Sequence, residues 1–194
     1  MRKERLEAFS DGVIAVIITI TVLEMKVPHG PDLSAAAPLV PVFLTYVLSF
    51  IYVGIYWNNH HHMLHTVKTV SGGVLWANLH LLFWLSLFPF ATGFVGENHF
   101  AATPSALYGV VLLGAAAAYT ILQAAIIRAQ GRESLLQAAV GSDWKGKVSL
   151  VFYVVGIAST FAVSWVAEVL YIAVACVWLV PDKRIEHTLE QRDP

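Results

Sequence analysis

The chain has 194 residues, 57% of them hydrophobic and 13% charged, with a formal net charge of -1. A soluble domain carries about 25% charged residues, so this composition excludes an ordinary soluble fold and places the chain in a membrane. The small net charge gives no case for nucleic acid. A single cysteine, Cys176 in an apolar run, excludes a disulfide framework and a cysteine-based metal site.

The first expected helix, about residues 5–27, is a poor membrane helix. Between Asp11 and Glu24 lie twelve uncharged residues, about 18 Å of helix at 1.5 Å per residue. A hydrocarbon core is roughly 30 Å thick, so a span here carries Asp11 and Glu24, with Arg5 close behind, into or near the bilayer. Intramembrane charges face protein or water rather than lipid, which places this helix at the centre of something. The basic start resembles the n-region of a signal peptide. Asp11 interrupts the apolar run, however, and the residues around Met25 are no cleavage site, so the segment is expected in the mature protein.

A turn-rich loop at Pro28, Gly30 and Pro31 follows. A second helix is expected at about 38–63, ending in the polar aromatic edge Trp57, Asn58, Asn59, His60, His61, His62 and His65. A third, about 72–95, contains Asn78 and His80, with Pro89 expected to kink it late. A fourth, about 104–128, is rich in small residues from Gly114 to Ala118, which permit close packing. After a polar segment, the run from Val148 to Val180 is too long for one helix and is expected as two, about 147–163 and 166–181, turning near Ser164 to Glu168. With six spans, eleven of the twelve Lys and Arg residues share one side: Arg2, Lys3, Arg5, Lys68, Arg128, Arg132, Lys145, Lys147, Lys183, Arg184 and Arg192; Lys26 lies opposite. The positive-inside rule then puts both termini in the cytoplasm. The expected fold is an all-α integral membrane protein, one six-helix unit over residues 1–194 with no internal repeat.

Seen as a surface, the first helix places Gly12, Val16, Thr19, Ile20 and Leu23 along one side. Facing copies of themselves, Val16, Ile20 and Leu23 would form successive apolar rings, which gate pores by dewetting, and the Thr19 hydroxyl can replace part of an ion's hydration. Ordinary helix packing produces the same spacing; the charged ends argue against it, because a merely packed helix gains nothing from Asp11 and Glu24.

Arg5 followed by Phe9, Ser10, Asp11 and Gly12 (Arg-x-x-x-Phe-Ser-Asp-Gly) resembles the signature of the transmembrane protein 175 family in its short prokaryotic form. The resemblance extends to Leu23, Glu24, Lys26 and Pro28, to Tyr56 and Trp57 followed by His60 and His61, and to Asn78 and Pro89. It covers the first three helices; the last three match in length and hydropathy alone. It implies a potassium-permeable cation channel, a homotetramer with the first helix of each subunit lining a central pore and no Thr-Val-Gly-Tyr-Gly filter. It assigns the narrowest ring to Val16, where the family has Ile or Leu, the outer rings to Ile20 and Leu23, and a hydroxyl layer to Thr19.

A carboxylate as deep as Asp11 needs partners. Arg5, Ser10, Asp11, His60 and Asn78, with Trp57 beside them, are expected to form a polar cluster that fixes the first helix against the second and third. His61 and His65 share a helical face, as a two-histidine metal site would require, but no third ligand is evident and no metal is expected. His80 reads as an interior histidine, Glu168 as the marker of the last turn, and Trp57, Trp144 and Trp178 as interfacial anchors. Glu24 and Asp32 are modest cation attractors at the outer mouth, offset by Lys26.

The expected protein is thus a passive, cofactor-free channel of the cell membrane, a bacterial inner membrane in the reading. Its partners are potassium and other monovalent cations, membrane lipid and copies of itself. The alternative is a small proton- or cation-coupled transporter, which predicts interrupted helices and paired repeats. An intramembrane enzyme would need histidines at matching depth on facing helices.

Overall fold

The computed structural model describes residues 2–67, 69–131, 134–140 and 143–179. Lys68, Arg132, Lys183, Arg184, Arg192 and the end of the sixth expected helix at 180–181 lie outside them. The regular structure of the described residues is helical: α1 (Lys3–Thr21), α2 (Val40–His65), α3 (Gly72–Ser86), α4 (Phe88–Glu97), α5 (Ala102–Gln130), α6 (Leu135–Val140), α7 (Trp144–Ser159) and α8 (Ser164–Leu179), with 3-10 turns at Val22–Glu24 and Leu33–Leu39. Among the described residues, four stretches are long and apolar enough to cross a membrane: Lys3–Glu24, Leu33–His65, Gly72–Glu97 and Ala102–Gln130.

Several boundaries differ from the sequence expectation. α1 stops at Thr21 and tightens into a 3-10 turn, short of residue 27. The third expected helix is two helices. Pro89 has no N–H for the carbonyl of Leu85 and its ring crowds that turn. The break therefore falls at Leu87, whose N–H reaches Trp84 at 3.2 Å, while Ala91 donates back to the Leu87 carbonyl at 3.0 Å. The polar segment after α5 contains the short helix α6, with Leu136 buried. α7 starts at Trp144, capped by the Asp143 carboxylate accepting from the Gly146 N–H at 3.2 Å. The last turn is at 160–163 rather than near Ser164 to Glu168, because the Ser159 carbonyl accepts from Ala162 and Val163 at 3.0 and 2.8 Å and closes the chain there. Glu168 is helical, in the second turn of α8.

The helices pack around a core unusually rich in tyrosine. Tyr52, Tyr108, Tyr153 and Tyr171 are fully buried with Phe88. Each hydroxyl is answered, as burial requires: Tyr52 donates to the Tyr171 carbonyl at 2.5 Å, Tyr153 to Tyr52 at 3.3 Å, Tyr171 to the Ser105 carbonyl at 3.3 Å, and Tyr108 pairs with Ser49 at 2.9 Å. α5 lies against α3, α4, α7 and α8, and α7 with α8 forms a hairpin. Close approach comes from glycines: a Cβ at Gly114 would run into the Trp84 ring, and one at Gly109 into the Tyr171 hydroxyl. α1 packs on α2, α3 and α4 and adds Leu6, Ile14 and Ile17 to the core.

Candidate functional site

α1 has two unlike faces. Leu6, Ser10, Ile14, Ile17 and Thr21 are buried, at spacings of four, four, three and four residues, the stripe a helix presents to its neighbours. The other side carries Phe9, Val16, Ile20 and Leu23 in the open, with Val16 54% and Leu23 74% exposed. Gly12 and Thr19 lie on that side too. Large apolar side chains in a continuous exposed row mark a surface that something else covers. The Thr19 hydroxyl donates to the Val16 carbonyl at 2.9 Å, which leaves its oxygen lone pairs as acceptors on the open side. Beside this face an open groove of about 750 Å³ runs between α1 and the α3–α4 break, with Gly12, Val16, Ile20 and Glu24 on one wall and Ser86, Pro89 and Phe90 on the other.

The buried face is fixed by hydrogen bonds. Ser71 caps α3 by accepting from the Val74 N–H at 3.3 Å, and two turns on Asn78 enters the interior fully buried. Its amide nitrogen donates to Ser10 Oγ at 3.0 Å and its oxygen meets His60 Nε2 at 2.7 Å. Ser10 in turn donates to the Leu6 carbonyl at 2.9 Å. This relay ties α1, α3 and α2 together with each polar group paired, and His60 is 1% exposed within it. The His60 tautomer follows from the geometry, since an amide oxygen requires an N–H at Nε2.

The single polar cluster expected from sequence is therefore two. Asp11 lies outside the buried relay, at the open edge, where Trp57 Nε1 donates to its Oδ1 at 3.0 Å; Trp57 is 45% exposed and its ring stacks on His61. Arg5 joins neither group: it is exposed, because six residues, nearly two helical turns, separate it from Asp11. A third tie was not anticipated. Lys3 Nζ donates to the His65 carbonyl at 3.1 Å and pairs with Glu7 at 3.6 Å. A cation there satisfies the free carbonyl end of α2 and opposes its dipole.

The remaining candidates fall as follows. His61 and His65 face each other with ring centroids 4.5 Å apart, and no group of three His, Cys, Asp or Glu side chains exists among the described residues. His80 is exposed rather than interior and accepts from Trp84 Nε1 at 3.0 Å, one helical turn on; the interior histidine is His60. Glu168 accepts from Ser105 Oγ at 2.6 Å and so tethers α8 to α5 instead of marking a turn. Trp144 is half exposed, and Trp178 donates to Ser149 Oγ at 2.8 Å. At the far end of α1, Glu24 rests on Gly93, where a Cβ would collide with its carboxylate, and Asp32 is exposed. Lys26 does not offset these acids freely. It pairs with Glu97 at 2.6 Å, and that bond and charge hold its amine above the ordinary lysine value. The sequence signal for that partner was available: Glu97 is the acid closing an otherwise uncharged run.

Comparison with known proteins agrees with the architecture. Residues 5–89 match the family described as endosomal/lysosomal potassium channel TMEM175. A potassium channel of Chryseobacterium sp. (strain P1-3) is 56% identical over 191 residues, covering 98% of this chain and all of that protein. A potassium channel of Streptomyces collinus is 36% identical over 129 residues, 61% of each chain. The crystal structure of a lysosomal potassium-selective channel TMEM175 homolog from Chamaesiphon minutus superimposes with a TM-score of 0.79 at 25% identity, covering 93% of this chain and 97% of that one. The extent and identity of these matches place the chain in the TMEM175 family.

Proposed function

We propose that the chain is a potassium channel subunit. Four copies assemble with their α1 helices around a central axis, so that Val16, Ile20 and Leu23 form apolar rings and Thr19 a hydroxyl layer between them. The observation that carries this reading is the division of α1: one face locked by the Ser10–Asn78–His60 relay, the other a bare row with Val16 54% exposed. A helix so held cannot bury that row against its own chain. Permeation of potassium is supported by the relatives' function as potassium channels. Each subunit crosses the bilayer six times: α1, α2, the α3–α4 pair, α5, α7 and α8. Both termini lie in the cytoplasm, and no chemical step is involved.

The break at Leu87 bears on the transporter alternative, which calls for unwound helix at a binding site. Here the Leu87 N–H still bonds back to Trp84 and the Leu87 carbonyl accepts from Ala91, so the chain is re-bonded within one helical turn and the break bends a span without a long unwound stretch. The test is potassium flux from liposomes, together with Val16→Cys in a Cys176→Ser background, since Cys176 is itself exposed. Downhill flux with no coupled ion, blocked by cadmium only when Val16 is cysteine, is the expected result. Strictly coupled flux, or an unblocked current after demonstrated labelling, defeats the pore assignment.

A further inference from the structure

We propose that the groove between the outer halves of α2 and α8 holds a phospholipid whose headgroup carries a primary ammonium, phosphatidylethanolamine being the simplest. The proposal goes beyond the channel reading but rests on its six spans, which put α8 in the bilayer. The groove is open, with a volume of about 550 Å³, and none of its lining residues belongs to α1. It is graded along its length. With six spans α2 and α8 run inward side by side, and they touch. Leu44, Leu48 and Ile51 on α2 step down one wall about a turn at a time, as Trp165, Glu168 and Ile172 on α8 step down the other. The turn before α5, closed by the His99 N–H on the Gly96 carbonyl at 3.3 Å, brings His99 to the mouth. The polar groups thus gather at the outer end and the inner end is aliphatic. A lipid has the same gradient, headgroup outward and acyl chain inward.

The headgroup's chemistry follows from the groups left over. Glu168 Oε1 accepts from Ser105 Oγ at 2.6 Å. Its Oε2 bonds no described residue and is open to the groove rather than enclosed. No Lys or Arg is among the described lining residues, and a carboxylate at membrane depth calls for a partner of opposite charge. One turn before it, the Trp165 indole N–H also bonds no described residue, and that side chain is 66% exposed. The His99 ring at the mouth is free of described partners too. The groove therefore offers one anion and two neutral donors. A lipid ammonium meets Glu168, and the phosphate beside it accepts from Trp165 and His99. Other headgroups fit less well. Phosphatidylglycerol puts no cation on Glu168, phosphatidylserine adds a second carboxylate, and phosphatidylcholine has the charge without an N–H to donate.

The test is native mass spectrometry of the full-length protein released at neutral pH from vesicles of equal parts phosphatidylethanolamine, phosphatidylcholine and phosphatidylglycerol. Retention of phosphatidylethanolamine about tenfold above the other two is expected, the worth of one hydrogen bond to a charged group. Glu168→Gln keeps an acceptor for Ser105 and should bring that preference down to parity with phosphatidylcholine. Leu44→Trp enlarges a side chain that is 54% exposed at the groove and should expel the lipid without touching Glu168, so it decides the matter if Glu168→Gln fails to fold. Equal retention of the three lipids in the wild type, a preference for phosphatidylglycerol, or an undiminished preference in either variant overturns the assignment. Retention is read without flux, so a failure here is distinct from a failure of the pore assignment.

Discussion

In α5, Tyr108, Leu112, Ala115, Ala118, Leu122 and Ile126 form one buried stripe, and Gly109 and Gly114 let Tyr171 and Trp84 come into contact with the helix backbone. In α1 five residues are buried, two of them the hydroxyls Ser10 and Thr21, and the tie to the bundle runs through Asn78 and His60. The fifth helix is held by shape and the first by hydrogen bonds. A shape-held helix gains from every methylene that fits. A bonded helix is held at a few points, and those points leave its opposite face free for another surface.

Four substitutions separate these two ways of holding a helix. Gly114→Ala pushes a methyl into the Trp84 ring and should cost about 3 kcal/mol, the upper end for overpacking; thermal unfolding followed by size-exclusion chromatography reads it. Asn78→Ala takes from buried His60 its amide partner and leaves Ser10 only the Leu6 carbonyl, and should cost about 2 kcal/mol. If α1 is held by bonds, it should also release α1 first, seen as hydrogen exchange confined to residues 3–21. Trp57→Phe removes only the half-exposed bond to Asp11 and should cost about 0.5 kcal/mol, within the scatter of the melt. An effect as large as that of Asn78→Ala would merge the two polar groups into one. The Glu97→Gln change should be smallest, because the Lys26 pair is exposed. Lys26 titrates above its ordinary 10.5, so any stabilisation is complete below that pH and fades as the pH rises through the raised value. Wild type and Glu97→Gln should therefore differ by the same small amount from pH 7 to 9 and converge only in stronger alkali.

Gly12→Leu tests the free face itself. A Cβ there meets nothing within 4 Å in its own subunit and points onto the exposed side of α1, so the fold should be unaffected. The assembled particle should shrink or lose flux, and an intact, conducting assembly would argue that Gly12 faces lipid.

The sequence made the class of the molecule, the two faces of α1 and most partners in the relay readable, because charge inside an apolar run and spacing along a helix are local signals. Ser10, His60 and Asn78 could be grouped for that reason: each is a polar residue where an apolar one was expected. What was not readable depends on distance in space. Arg5 and Asp11 look like members of one polar cluster, yet the helix turns them apart. His80 looks interior on hydropathy alone, yet faces outward. Glu168 looks like a turn because an acid in a long apolar run suggests an exit from the membrane, until Ser105 is found opposite it. The tyrosine core escaped for a similar reason, since four aromatic residues on four helices share no period.

The length of α7 has a consequence for the surroundings of the protein. Its 16 residues make about 24 Å of helix, whereas a bilayer interior is about 30 Å. Under the proposed arrangement, in which α7 is a span, lipid along this edge must compress or the flanking chain must reach outward, at a cost of a fraction of a kcal/mol per Å. α5, with 29 residues, carries no such penalty. Each subunit then presents a short side and a long side to its lipids, and short-chain phospholipids should gather along α7.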